Sequence, residues 1–386
     1  MAGKHIKRQI KLLSQGSYGC IYKPNLTCSG NIAKSKEFVS KLQKNNYAAK
    51  NEISIDTKLL SIKQYYLYFA PILNTCPIQL AKINRKYIEK CEIITKNKEN
   101  TNDFILSKIK FVGTHTLESY LLDRIGNSYF IPKLLETHSY LLDSLQILVD
   151  NKIIHKDLKE NNIIYDTKNQ VPILIDFGLS IDVSKLNLST YSSSFNIYYE
   201  KYPPWCLDIV IISFIIQKYK DKLNTIIPIK EIIDIIHSYM KNNDIIIVVS
   251  KVVSKNIIEK YTERWIEFVT TEFNNHSGKH IVEKMIGFWK TWDNFGLSVI
   301  YLFIWYNYNL QLFKLNIKYQ TMLIDQIMNI PSDRMSIIDT QHNIDNLLES
   351  LDSKSFIASK ISVDDLTKKY KDTVITNKKK NNIVYK

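Results

Sequence analysis

Ile153-Ile154-His155-Lys156-Asp157-Leu158-Lys159-Glu160-Asn161-Asn162, followed fourteen residues later by Asp176-Phe177-Gly178, is the stretch on which the fold of this chain turns. The runs Asn161–Tyr165 and Val171–Asp176 are mostly apolar, and a polar turn separates them. That pattern predicts a β hairpin with Asn162 and Asp176 at its two ends. One carboxylate, Asp157, can orient a hydroxyl and take its proton. The amide of Asn162 and the carboxylate of Asp176 are hard oxygen donors of the kind that hold a divalent cation. An incidental hairpin has no chemical need of all three groups.

Outward from this stretch, 386 residues and 45.2 kDa allow one two-lobed domain or two ordinary ones. Hydrophobic residues at 45% and charged residues at 23% exclude a disordered chain. The five cysteines, Cys20, Cys28, Cys76, Cys91 and Cys206, are odd in number and form no C-x-x-C pair. Neither a zinc site nor a disulfide framework is therefore expected, and a reducing, cytoplasmic setting is. MAGKHIKRQIKLL has no apolar core before a cleavage site, so no signal peptide is expected. The runs Ile209–Ile216 and Gly296–Tyr306 fall short of the ~20 residues that span a bilayer, so they read as buried helices. The formal charge of +14 comes mainly from lysines spread along the whole chain. That favours a solvated basic surface over a dedicated nucleic-acid site.

The architecture expected is α+β. Strand-like apolar runs occur at Ile10–Leu13, Phe38–Leu42, Tyr87–Ile94 and Phe104–Phe111. Between the second and third, Asn51–Lys63 spaces Ile53, Ile55, Leu59, Leu60 and Ile62 as a helix does. From Leu117 the pattern is mostly helical, with Leu134, Leu135, Leu141, Leu142, Leu145 and Leu148 recurring at three- and four-residue steps. No internal repeat is visible. The polar, lysine-rich tail from about Asp352 is expected to be loosely held.

A second signal is Leu13-Ser14-Gln15-Gly16-Ser17-Tyr18-Gly19-Cys20-Ile21, a G-x-x-G turn in a β hairpin. The chain has ten glycines, and Gly16, Gly19 and Gly178 all fall in these two signals. Together the segments resemble eukaryotic-type serine/threonine protein kinases from about Leu12 to Ile344. Ile153–Lys159 is similar to the I-I-H-R-D-L-K segment of that family, and Ile173–Leu179 to the segment ending in D-F-G-L. Gly16–Pro24, Tyr68–Ile72 with Cys76-Pro77-Ile78, and Lys159–Asp166 further resemble the divergent kinases of large nucleocytoplasmic DNA viruses.

The resemblance implies a two-lobed fold with a β-rich lobe over 1–113, a helical lobe over 114–350 and a basic tail over 351–386. It implies ATP and Mg2+ as cofactors, protein substrates, and the host cytoplasm or virion as the setting. Catalysis in such enzymes is largely positioning and charge neutralisation. Asp157 would orient the acceptor hydroxyl, Lys159 would neutralise the transferring phosphate, and Asn162 and Asp176 would bind magnesium. Ser14, Gly16, Ser17, Tyr18 and Gly19 would cover the phosphates, with Ser14 where the first glycine usually stands. Ile21, Val39 and Ile164 would sandwich the adenine, and Lys108–Gly113 would form the hinge. Lys41, with apolar flanks, is preferred as the phosphate-gripping lysine and Glu52 as its partner, while Lys34 and Lys36 compete. His155 and Phe177 would belong to an internal apolar spine.

The departures from that family bear on regulation. Lys156 stands where arginine is usual and lacks the bidentate fork that reads a phosphorylated activation loop. The hydroxyl-rich run Ser180–Ser194 is a candidate for autophosphorylation. Tyr202-Pro203-Pro204-Trp205 occupies the place of A-P-E, so the partner of Arg334 is open. Either Asp208 or Asp293 anchors the catalytic loop. Asp293 matches better, which makes about 207–290 a helical insertion that could serve a partner. Two rivals stand beside an active protein kinase. One is an ATP-binding pseudokinase scaffold, and the other a small-molecule kinase, against which Lys159 and the D-F-G triplet count.

Overall fold

The computed structural model describes residues 10–16, 19–95, 103–125, 129–307 and 316–351. The expectations for Ser17, Tyr18 and the tail from Asp352 lie outside the described residues. The chain divides into two units. Of the described residues, one holds those up to Thr114 together with Ile164–Ser180, and the other holds His115–Ile163 with those from Ile181 onward.

The first unit contains β1 (Lys11–Gly16), β2 (Gly19–Lys23), β3 (Phe38–Lys44), α1 (Tyr47–Leu60), β4 (Ile72–Ile78), α2 (Arg85–Ile88), α3 (Glu92–Thr95) and β5 (Phe104–Lys110). The strands make one antiparallel sheet in the order β1-β2-β3-β5-β4. Residues paired directly across antiparallel strands share a face. Ile21, Lys41 and Ser107 therefore line one face, while Cys20, Leu42 and Leu106 line the other. The second face carries an apolar cluster of Cys20, Tyr22, Leu42, Ile78, Cys91 and Phe104.

Three local expectations change here. The helix expected over Asn51–Lys63 runs Tyr47–Leu60, because Asn46 caps it by accepting from the Ala49 amide. The run Tyr87–Ile94, expected as a strand, instead spans the short helices α2 and α3, the first capped by Asn84. The missing strand is β4, an edge strand, where Pro77 costs no central ladder bond.

The cysteine expectation is corrected as well. Cys20 is bonded to Cys91 and Cys28 to Cys76, each pair with Cα atoms 6.0 Å apart. Cys206 is free and buried. The pairs are 71 and 48 residues apart, too distant for spacing to have shown them.

The second unit is helical, apart from short strands. It opens with α4 (Leu117–Leu122), α5 (Phe130–Asp150) and β6 (Ile153–Ile154). The hairpin β7 (Ile163–Asp166) and β8 (Val171–Leu174) follows in the chain, mostly within the first unit. The remaining elements are β9 (Ile181–Asp182), α6 (Leu188–Ser194), α7 (Leu207–Lys218), α8 (Ile229–Asn242), α9 (Asp244–Val249), α10 (Lys255–Phe273) and α11 (Gly278–Ile286). Last come α12 (Trp292–Asn307), α13 (Asn316–Ile327) and α14 (Ile337–Glu349). The six leucines singled out in α5 are all buried, and this helix packs against α12 and α14. His138 completes that core, stacked on Tyr301 at 4.1 Å and hydrogen-bonded through Nδ1 to Tyr319 Oη at 2.8 Å. Burial pushes its imidazole down to about 3, which makes it a neutral core group. The two apolar runs are the buried helices α7 and α12, and no described helix is long and apolar enough to cross a membrane.

Candidate active site

In the first unit the site is built on β3. Its central position lets Lys41 point off the sheet toward α1, where Glu52 lies on the buried stripe with Ala49, Ile55 and Leu59. Lys41 Nζ is 2.6 Å from Glu52 Oε1 and 2.9 Å from Asp176 Oδ1. Burial alone would lower the lysine pKa, but the two carboxylates hold it above its ordinary value. Burial raises the carboxyl of Glu52, against the pull of Lys41. Lys34 and Lys36 are both exposed.

Asp176 is brought to this cluster by β8. Leu174 pairs with the Tyr68–Ala70 backbone, its amide donating to Tyr68 O at 2.9 Å and its carbonyl accepting from Ala70 N at 3.1 Å. Phe177 then packs edge-on against Phe69 at 5.9 Å. The backbone of Asp176 is left-handed, with φ at 64°, a strained geometry for a residue with a side chain. Asn51 on α1 ties down the next turn by donating to Ser180 O at 2.8 Å. Gly19 is required by close approach, since a Cβ there would lie 2.7 Å from Leu42 O.

In the second unit the loop after β6 is held from beneath. Asp293 on α12 accepts from the His155 amide at 2.7 Å and the Lys156 amide at 2.9 Å. Burial raises the Asp293 carboxyl, and His155 and these two amides oppose that rise. Of the two candidate anchors, Asp293 is the one that makes these bonds. Asp157 Oδ2 accepts from Lys159 Nζ at 2.9 Å and from Asn162 Nδ2 at 2.9 Å. The same amide nitrogen donates to Asp157 O at 2.8 Å, so the amide oxygen is the Asn162 atom that could coordinate a cation.

A family model of protein tyrosine and serine/threonine kinases matches residues 8–209. The chain belongs to this kinase family. Over 102 residues it is 35% identical to the "Probable serine/threonine-protein kinase fnkB" of Dictyostelium discoideum. That alignment covers 26% of this chain and 18% of the relative, so the chain spans about a fifth of the relative's length. The α+β kinase fold is present, with a β-sheet amino-terminal region and a helical carboxy-terminal region.

Lys156 lies among aromatic side chains. Its ammonium is buried, donates to Ser194 O at 2.6 Å, and lies 4.9 Å and 5.2 Å from the Phe195 and Trp205 rings. Burial pushes its pKa down to about 7, against the pull of Asp157. An unfolded lysine titrates near 10.4. The folded chain therefore binds fewer protons than the unfolded one between these values, and stability rises with pH across that window. Unfolding of the wild type and Lys156→Met should show a stability difference that shifts toward the wild type from about pH 7 to pH 10. A difference independent of pH would mean that Lys156 titrates normally.

The open question of Arg334 is answered three residues beyond Trp205. Arg334 forms a fully buried ion pair with Asp208, which also accepts from Trp292 Nε1 at 3.0 Å. Trp205 instead donates its indole N–H to Lys156 O at 2.8 Å.

The other expected site residues fall as follows. Ser14 and Gly16 lie exposed on β1, Ile21 is half-buried on β2, and Val39 is buried on β3. Ile164 touches the Gly113 position, 3.6 Å from where a Cβ would stand. Lys108–Lys110 are the last residues of β5, so only 111–113 lie beyond that strand in the expected hinge. Among the described residues no group of three or more His, Cys, Asp or Glu could hold a metal. An acid and an amide suit magnesium, which keeps phosphate and water in most of its positions. Sequence reasoning missed Tyr202, whose hydroxyl donates to Asp157 Oδ1. Nothing in the spacing of Tyr202-Pro203-Pro204-Trp205 indicates that contact.

Proposed function

We propose that the chain transfers the γ-phosphoryl group of ATP to serine and threonine hydroxyls of protein substrates. The observation that carries this reading is Asp157, whose Oδ2 is fixed by Lys159 and Asn162. A carboxylate held in this way can present its other oxygen to an acceptor hydroxyl. The acceptor oxygen bonds to phosphorus as the bond to the β-phosphate bridge breaks, and the hydroxyl proton moves toward Asp157. Lys159 neutralises the transferring group, and Lys41, paired with Glu52, grips the α- and β-phosphates. Ser14, Gly16 and Gly19 would cover the phosphates, while Ile21, Val39 and Ile164 would enclose the adenine. Asn162 and Asp176 are the proposed magnesium ligands, and the ion would screen phosphate charge.

Lys159 beside the acid, together with the serine/threonine name of the relative, supports those acceptors over tyrosine. Lobe limits near residues 113 and 350, and a partner for 207–290, belong to the same proposal. So does the finer likeness to viral kinases, with its cytoplasmic or virion setting. The two disulfides favour an oxidising environment among such settings. No dedicated nucleic-acid site is proposed.

The test uses purified chain, magnesium, radiolabelled ATP and a generic acceptor protein, followed by phosphoamino-acid analysis. Phosphoserine and phosphothreonine should dominate. Lys41→Met should reduce labelling by about a hundredfold or more, and Lys34→Met should leave it near wild type. Predominant phosphotyrosine on the acceptor would overturn the assignment. Absence of any label would favour the ATP-binding scaffold.

A further inference from the structure

The Tyr202 hydroxyl makes the contact with Asp157 that the proposed function asks of an acceptor hydroxyl. Asp157 Oδ2 already accepts from Lys159 and Asn162, and Asp157 Oδ1 accepts from the Tyr202 hydroxyl. A carboxylate oxygen takes about two hydrogen bonds, so Oδ1 is the oxygen left for a reacting group. Nucleophile and base within hydrogen-bond reach is the geometry expected of a reacting pair.

The placement is built. Asn243, fully buried where α8 meets α9, donates from Nδ2 to Glu200 O at 2.7 Å and to Tyr202 O at 3.3 Å. Its Oδ1 caps α9 by accepting from the Ile245 amide at 3.0 Å. Tyr239 Oη on α8 donates to Trp205 O at 3.0 Å. The Tyr202 ring packs edge-on against Trp205 at 5.1 Å and near-parallel to Tyr199 at 6.3 Å. The helices read from sequence as an insertion thus hold residues 200–205 so that one phenol meets the catalytic acid.

We propose that Tyr202 is an intramolecular phosphoryl acceptor, a modification site filled by the chain's own active site. The inference rests on the kinase activity proposed above. In the step, a bond forms between Tyr202 Oη and the γ-phosphorus, and the bond from that phosphorus to the β-phosphate bridge breaks. ADP leaves with the electron pair, and the phenolic proton passes to Asp157 Oδ1. A phosphotyrosine carries close to two negative charges and is repelled by Asp157. The modified ring therefore leaves Oδ1 to an incoming serine or threonine, and labelling of a substrate protein follows a lag that ends as Tyr202 fills.

The experiment incubates the full chain with Mg-ATP over a hundredfold range of protein concentration and locates phosphate by peptide mass spectrometry. One phosphate per chain on Tyr202 is expected, with a first-order rate constant that does not depend on protein concentration. Tryptophan emission, reporting Trp205, should change with the same rate constant in wild type and Tyr199→Phe but not in Tyr202→Phe. Labelled substrate serine without phosphate on Tyr202 would overturn the inference and leave the proposed function standing. A rate constant proportional to protein concentration would overturn the intramolecular step. No label on any residue would overturn both.

Discussion

Replacing Asp157 by asparagine is expected to lower phosphoryl transfer by at least about a thousandfold while nucleotide affinity stays within a few-fold. The amide that replaces the carboxylate cannot take the acceptor's proton. It also brings an N–H donor toward groups that now donate to Asp157, namely Lys159, Asn162 and Tyr202. Affinity survives because Lys41, Glu52 and Asp176 form their own ion-paired cluster within the first unit, and Asp157 is not part of it. Single-turnover labelling and nucleotide titration of the same preparation separate the two effects. An asparagine variant with wild-type turnover would remove Asp157 from the mechanism and the proposed function with it.

Loss of the two disulfides is expected to cost the first unit most of its stability. Closing loops of 71 and 48 residues restricts the unfolded chain by about 4 kcal/mol each on the chain-entropy account. Their sum is comparable with the ~5–15 kcal/mol that holds a whole domain together. Cys20 directly follows Gly19, and Gln15 on β1 meets α3 by accepting from the Glu92 amide at 3.2 Å. Opening Cys20–Cys91 should therefore loosen the strands of the glycine hairpin first. Denaturant unfolding of the oxidised chain, and of the Cys20→Ser/Cys91→Ser and Cys28→Ser/Cys76→Ser variants, measures the loss. Thiol titration in denaturant without reductant should find one thiol, Cys206, out of five cysteines. Five reactive thiols in a fully stable chain would show that neither bond forms.

The sequence by itself determined the family and named the groups proposed to carry the chemistry. Asp157, Lys159 and Asn162 lie within six residues, so chain connectivity alone brings them together, and the hairpin that follows needs only local β propensity. The leucines of α5 were legible for a similar reason, since helical periodicity is a property of neighbouring residues. The short helices over Tyr87–Ile94 were not, because a brief apolar run suits a strand or a buried helix equally. Packing in the cluster around Cys20 and Cys91 decided that case. The apolar flanks of Lys41 favour it over Lys34 and Lys36, but its two ion pairs depend on how a helix and a distant hairpin meet one strand. Cys20–Cys91 and Cys28–Cys76, Arg334–Asp208 across 126 residues, and Tyr202 on Asp157 across 45 belong to the tertiary structure alone. Contacts at such separations leave no periodicity or spacing in the chain, because their geometry arises only when the burial of apolar faces fixes which elements become neighbours.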